Sequence, residues 1–256
     1  MIKKLYKKIF SERQRNNFRY AYYKFIGLFY RGNAYYCVCC DTSFRRFLPY
    51  GNQTRWNALC PSCHSLERTR VLMYYLQNEV HLFTKPLKVL HFAPEKAIEK
   101  KIKAYKKTDY LTADINPNLA DHVVDITAIP FAAESFDLVI CSHVLGHIPD
   151  EVKAIDELYR VLKPTGEAII MTVIDPSLEK TFEDSTLQSE KDRLKFYGES
   201  DLVRKHGHDF EKSLQRKDIH VMPKDYRLTF AIKEQVRYSL GDGRREVIFS
   251  CKKTAH

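Results

Sequence analysis

Between Phe136 and Ile174 the apolar positions change period twice. Phe136–Cys141 is a strand-length apolar run, followed by a short loop carrying Ser142, His143 and His147. Val152, Ile155, Leu158, Tyr159 and Leu162 then recur at i, i+3, i+6, i+7 and i+10, one face of a helix. Lys163-Pro164-Thr165-Gly166 stops that helix, and Ala168–Ile174 opens a second β-rich run. Strand, helix and strand at this spacing predict a right-handed βαβ unit, whose ligand site lies at the carboxyl ends of the strands. Upstream, the pattern predicts strands at 88–93, 109–115 and 122–126, with a lysine-rich helix at 95–107. Downstream come an insertion at about 175–215, a strand at 219–222, a stretch at 226–240 without a readable period, and a strand at 246–251. The fold class is α/β.

The first 31 residues follow a different rule. Ile2, Leu5, Tyr6, Ile9 and Phe10 share one helical face, and Phe18, Tyr22, Phe25, Ile26 and Phe29 continue an aromatic stripe. Nine Lys or Arg stand here against Glu12 alone, so this segment carries +8 of the chain's net +10. Two readings stand for residues 1–31: the stripe lies on an anionic membrane surface, or it packs on the body with its lysines solvated. No apolar run approaches the roughly 20 residues that span a bilayer. The N-terminus has no secretory h-region, which makes a cytoplasmic protein, at most at the inner face of the membrane, the expectation.

Seven cysteines in such a chain are not expected to form disulfides. Cys37 and Cys40, then Cys60 and Cys63, form two Cys-x2-Cys pairs, the spacing of a four-cysteine zinc ribbon. The segment is polar between the pairs and too small to fold readily without a staple, so a structural Zn²⁺ is expected on these four thiolates. Cys39 and His64 adjoin the ligands and rank below them. The organisation is therefore a basic helical segment (1–34), a zinc module with a linking helix (35–80) and a main domain (86–256).

The block from Phe136 to Met171, FDLVICSHVLGHIPDEVKAIDELYRVLKPTGEAIIM, resembles the fourth and fifth strands of class I S-adenosylmethionine (SAM) methyltransferases, especially the type 11 group. The zinc module and body together (CPSCHSLERTR, LKVLHFAPEKAIEKK and TFEDSTLQSEKDRLKFYGESDLVRKHGHDF) resemble a zinc-ribbon-containing bacterial subgroup associated with surface-polysaccharide synthesis. The resemblance implies a Rossmann-like seven-stranded sheet and SAM as cofactor. It also implies cofactor contacts. Asp114 would meet the ribose with Asn116 beside it, Asp125 the adenine amino group and Ile126 the ring, while Ser142 and Leu145 would line the sulfonium region. The chain departs from the family in the first loop. Where the family has VLDxGxGxG, this chain has His91, Phe92, Ala93, Pro94 and Glu95 and no glycine. Glu95 is then the candidate for the methionine ammonium. It departs again at Gly146, where related sequences commonly have glutamate.

Methyl transfer to a hydroxyl needs alignment and removal of one proton, for which histidine is suited near neutral pH. His143 and His147 are the candidates, His147 having an equal claim as a hydrogen-bonder at the helix start. In the insertion, Arg193, Tyr197, Arg204, His206 and His208 are candidates for a polar acceptor, with Arg193 or Arg204 holding a phosphate; any one of them also fits a solvated helical face. The resemblance and the basic N-terminus favour a glycan or lipid-linked sugar acceptor. The alternatives are an RNA methyltransferase, which the neutral body disfavours, and a non-catalytic SAM-fold interaction protein, which the missing glycines favour.

Overall fold

The computed structural model describes residue 10 and residues 12–254. The predicted helical face from Ile2 to Ile9 lies outside the described residues. Helix α1 (Glu12–Phe29) leads into two small antiparallel hairpins, β1 (Arg31–Cys37) with β2 (Thr42–Phe44) and β3 (Leu48–Tyr50) with β4 (Arg55–Leu59). Helix α2 (Glu67–Asn78) then enters the main domain.

There, β5 (Lys88–Phe92), β6 (Asp109–Asp114), β7 (His122–Val123), β8 (Phe136–Ser142), β9 (Leu162–Met171), β10 (Ile219–Lys224) and β11 (Ile248–Lys253) make one sheet in the order β10-β11-β9-β8-β5-β6-β7. Strands β9, β8, β5, β6 and β7 are mutually parallel, and β11 runs against both its neighbours. The order reverses between β5 and β8. At such a switch point the loops leave in opposite directions and open a crevice.

The apolar runs become strands because both faces are covered. Val139, Ile140, Cys141, Ile169 and Ile170 are all completely buried. Helix α3 (Lys96–Ala104) buries Ala97, Ile98 and Ile102, and helix α4 (Glu151–Arg160) buries Ala154, Ile155, Leu158 and Tyr159 on the opposite face. Asp150 caps α4 by accepting the Lys153 N–H at 3.1 Å. Two details differ from the periodicity. Val152 faces solvent, and Leu162 is already the first residue of β9, which includes Pro164 and Thr165.

The zinc module has no separate core. Cys37, Phe44 and Phe47 join Val71, Leu72, Leu138, Ile140 and Ile169 in one apolar cluster on the α3 side of the sheet. Arg70 seals the junction: fully buried, it donates to the carbonyls of Ala58, Ser65, Tyr238 and Ser239. The unreadable stretch at 226–240 proves to be a 3₁₀ turn at Tyr226–Thr229 and a short helix, α5 (Ile232–Tyr238), against this module. Helix α1 has two faces, and the inner one is made by residues outside the aromatic stripe. Tyr20 and Tyr23 hold His64 between their rings and Tyr20 Oη donates to the Cys63 carbonyl, whereas Phe18, Tyr22, Phe25 and Phe29 are each more than half exposed. No described helix is long and apolar enough to cross a membrane.

Candidate cofactor and metal sites

The four paired cysteines converge. Cys37 and Cys63 sulfurs lie 3.5 Å apart, Cys40 and Cys60 sulfurs 3.8 Å apart, and all four are within 4.8 Å of one another. A tetrahedral Zn²⁺ with sulfurs at about 2.3 Å separates them by about 3.8 Å, whereas a disulfide needs about 2.05 Å. The donor set therefore fits zinc, and its thiolates leave no open coordination position. Each pair is followed by a residue in the left-handed region, Asp41 at φ 49° and His64 at φ 60°, so the two knuckles repeat one backbone turn. Cys39 points away, toward the Thr69 carbonyl, and His64 packs on the tyrosines of α1.

The second site lies at the carboxyl ends of β5, β6 and β8. Ala93 follows β5 at φ 46°, the left-handed conformation that a glycine normally supplies. The smallest side chain compatible with that turn keeps the backbone approachable. Glu95 is held from two sides: Ser142 Oγ donates to Oε1 at 2.8 Å and His91 Nε2 to Oε2 at 3.0 Å. His91 Nδ1 in turn accepts the Tyr110 hydroxyl at 2.8 Å, and burial keeps that phenol protonated. Burial works against the Glu95 charge. The hydrogen bonds from His91 and Ser142 and the positive field of Arg68 outweigh it and hold the carboxyl below its usual range. The result is a fixed anion at the switch point, suited to an ammonium group.

Asp114 ends β6, where Oδ1 accepts the Asn116 N–H at 2.7 Å and Oδ2 has no partner among the described residues. Asp125 is exposed, ionised and bent back onto Thr127, whose backbone N–H and hydroxyl lower its carboxyl. His143 also takes a left-handed turn, at φ 56°, and its Nε2 lies 3.0 Å from the Arg245 carbonyl. A carbonyl only accepts, so Nε2 bears the proton and Nδ1 the lone pair. Burial, with Arg68 and Arg245 nearby, holds His143 well below the ordinary histidine range, so the ring is neutral.

Several predicted residues have other duties. His91, Phe92 and Leu145 are buried, 2% exposed or less, so they shape the site from beneath without a surface for the cofactor. Ile126 is likewise packed into the core. Ser142 acts on Glu95. In the insertion, Arg204 is not available for a phosphate: its guanidinium donates to the carbonyls of Leu145, Ile148 and Pro149 and to Glu183. His206 is buried between Thr172 and Glu151, and the Tyr197 hydroxyl binds the Asp184 backbone. Arg204 and His206 pin the insertion to the body, and Tyr197 ties two parts of the insertion together. Arg193 bonds the Leu187 carbonyl and His208 the Pro176 carbonyl. His147 Nδ1 lies 3.5 Å from Asp201 of the insertion. The sequence reading missed Tyr110, Arg68 and Arg245. Arg68 does stand in the CPSCHSLERTR motif, one residue into the helix after the second knuckle.

Residues 88–170 match the family model described as a methyltransferase domain. This part of the chain is a methyltransferase domain. Its cofactor is SAM, and a fixed carboxylate at β5, a carboxylate at β6 and a glycine-like turn between them suit that cofactor. Among curated proteins, the tRNA U34 carboxymethyltransferase of Nautilia profundicola is 28% identical over 138 residues, 52% of this chain and 42% of its own length. The ubiquinone/menaquinone biosynthesis C-methyltransferase of Klebsiella pneumoniae is 38% identical over 52 residues, 20% of this chain and 21% of its own. The chain thus spans less than half the length of these relatives. Among solved structures, the [4+2]-cyclase SpnF superposes with a TM-score of 0.49 at 13% identity, covering 82% of this chain and 88% of that one. A Burkholderia thailandensis 1,6-didemethyltoxoflavin N1-methyltransferase gives 0.48 at 11%, covering 73% and 78%.

Proposed function

We propose that this chain is a SAM-dependent methyltransferase that O-methylates a sugar of a glycan or lipid-linked glycan precursor. The observation that carries the catalytic part is the pairing of an ionised Glu95 with a neutral His143 on adjoining strand ends. SAM supplies an electrophilic methyl group. In this reading Glu95 holds the methionine ammonium, Asp114 the ribose hydroxyls, and His143 Nδ1 accepts the acceptor's hydroxyl proton. The Arg245 carbonyl receives Nε2–H and orients the ring, as a second hydrogen bond commonly does for a catalytic imidazole. With SAM bound, His143 would take the hydroxyl proton while the acceptor oxygen gains the methyl group that the sulfonium sulfur gives up, S-adenosylhomocysteine being the other product. Because His143 is neutral already, no deprotonation precedes the step, and the acid limb of the rate should fall below the usual histidine pKa of about 6.5.

The acceptor assignment draws on the two-faced α1. Its inner face is fastened to the zinc knuckle and its outer aromatic face is open, in a segment that carries +8. That arrangement suits the surface of an anionic membrane where lipid-linked sugars reside. An RNA acceptor is the second reading, favoured by the relative named for tRNA U34. Tritiated SAM incubated with the protein and cell fractions distinguishes them: label is expected in glycan or lipid-linked glycan. Label confined to RNA would overturn the sugar assignment, and label in neither fraction, without SAM binding, would overturn the enzyme.

A further inference from the structure

We propose that the acceptor is phosphorylated, and that Arg68 and Arg245 together hold its phosphate beside His143. The proposal rests on methyl transfer occurring at the Glu95–His143 site. Arg68 lies in the first turn of α2, directly after Glu67. The Glu67 carboxylate is taken by Arg55, at 2.9 and 3.3 Å. Arg68 itself makes no ion pair or hydrogen bond among the described residues, and its Nε is buried without a partner. A planar guanidinium with a buried, unused N–H is unusual for a purely structural arginine.

Arg245 approaches from the other side, just before β11, with its carbonyl on His143 Nε2. Its guanidinium reaches only Glu199, at 3.7 Å, and both side chains are partly exposed. The two arginines also sense each other. Burial and the nearby charges of Arg55 and Arg68 depress the Arg245 pKa, and Arg68 acts on both His143 and Glu95. Glu95 is the carboxylate that feels Arg68, yet no hydrogen bond or ion pair joins the two, and Ser142 and His91 hold Glu95 in place. A guanidinium with no protein anion, beside one whose carboxylate stands 3.7 Å away, is completed by a ligand anion, and forked N–H donors match phosphate oxygens. Of the two insertion arginines that the sequence offered for a phosphate, Arg204 is consumed by backbone carbonyls and Arg193 Nε donates to the Leu187 carbonyl, which leaves this pair to take that role.

The test is calorimetric, on full-length zinc-loaded protein saturated with S-adenosylhomocysteine so that the cofactor's own carboxylate is already placed. Pyrophosphate is titrated as the probe, then a nucleotide-linked sugar and a lipid-linked sugar pyrophosphate in vesicles to separate soluble from membrane-borne acceptors. Pyrophosphate should bind the wild type, and both Arg68→Ala and Arg245→Ala should weaken it about tenfold or more. Arg68→Lys, which keeps the charge, should recover part of the loss. S-adenosylhomocysteine affinity should change less than threefold throughout, with zinc content confirming that each variant is folded. Unchanged pyrophosphate affinity with a large loss of S-adenosylhomocysteine would assign the arginines to the cofactor carboxylate and overturn the proposal. So would absence of pyrophosphate binding by the wild type, or a phosphate site that only an RNA oligonucleotide occupies. Failure of S-adenosylhomocysteine itself to bind would instead refute the methyltransferase reading.

Discussion

Removing the Arg70 guanidinium should loosen the zinc module from the methyltransferase domain. Arg70 is fully buried and pairs with no carboxylate among the described residues. Instead it donates to Ser65 at 2.6 Å and Ala58 at 2.9 Å in the module, and to Tyr238 at 2.9 Å and Ser239 at 2.7 Å in the C-terminal segment. Its guanidinium also lies 4.7 Å from the Phe47 ring centroid. Arg70→Met keeps most of the volume but leaves four carbonyls without this donor. At about 1–3 kcal/mol for each buried group left unsatisfied, and allowing water to relieve some of them, the loss is about 4–6 kcal/mol. That is a large part of the roughly 5–15 kcal/mol that holds a folded protein together. Arg70→Lys retains the charge but not the fork, and should lose about half as much. Urea unfolding followed by circular dichroism and by Trp56, the sole tryptophan, which sits in the module on β4, reports the effect. A shift below about 1 kcal/mol for Arg70→Met would mean that the carbonyls find other donors, and the seal would not depend on this residue.

Three further outcomes are expected. Elemental analysis should find one zinc per chain, and Cys40→Ser or a strong chelator should lower the melting temperature, since four crowded thiols cannot all ionise unaided; full stability of the metal-free protein would contradict this. Burial pushes Glu246 up to about 7 from 4.5, so its native state holds a proton the unfolded chain gives up. Its contribution is fully present below pH 4.5 and lost as pH rises through 7, so Glu246→Gln should flatten the stability profile across that window by up to about 3 kcal/mol; parallel profiles for the two proteins would refute it. Glu95→Gln should weaken S-adenosylhomocysteine about tenfold or more by removing the fixed anion, a larger effect than Asp125→Asn at its exposed turn, measured by calorimetry.

The sheet was legible because its central strands are buried on both faces, so their apolar runs are long and their interruptions few. The zinc ligands were legible for another reason: Cys-x2-Cys spacing is set by the metal, whatever lies around it. The insertion was not. A charged residue reads the same whether it meets solvent or plugs a set of carbonyls, and Arg204 and His206 belong to the second kind. Gly146 shows the same difficulty. A Cβ there would lie 2.9 Å from Leu202 Cδ2, and the Gly146 carbonyl accepts the Val203 N–H at 3.0 Å. The insertion therefore leans on the position where the family resemblance led us to expect a glutamate, a long-range contact invisible in local pattern. Ala93 was partly legible: its small size suggested close approach, but its left-handed turn is visible only in the fold.

The metal, the junction and the site are joined by a single helix. The second knuckle ends at Cys63, and within seven residues α2 presents Glu67 to Arg55 inside the module, carries the Arg68 charge that acts on Glu95 and His143, and sends Arg70 across to Tyr238 and Ser239. An α-helix fixes successive side chains about 100° apart, so these three directions cannot be adjusted independently. Tilting the helix to spare one contact misplaces the others. The knuckle that the four cysteines form thereby bears on where α2 holds Arg68, although a zinc bound there has no open coordination position. The ion is structural in its chemistry, and through α2 its binding bears on what the site can hold.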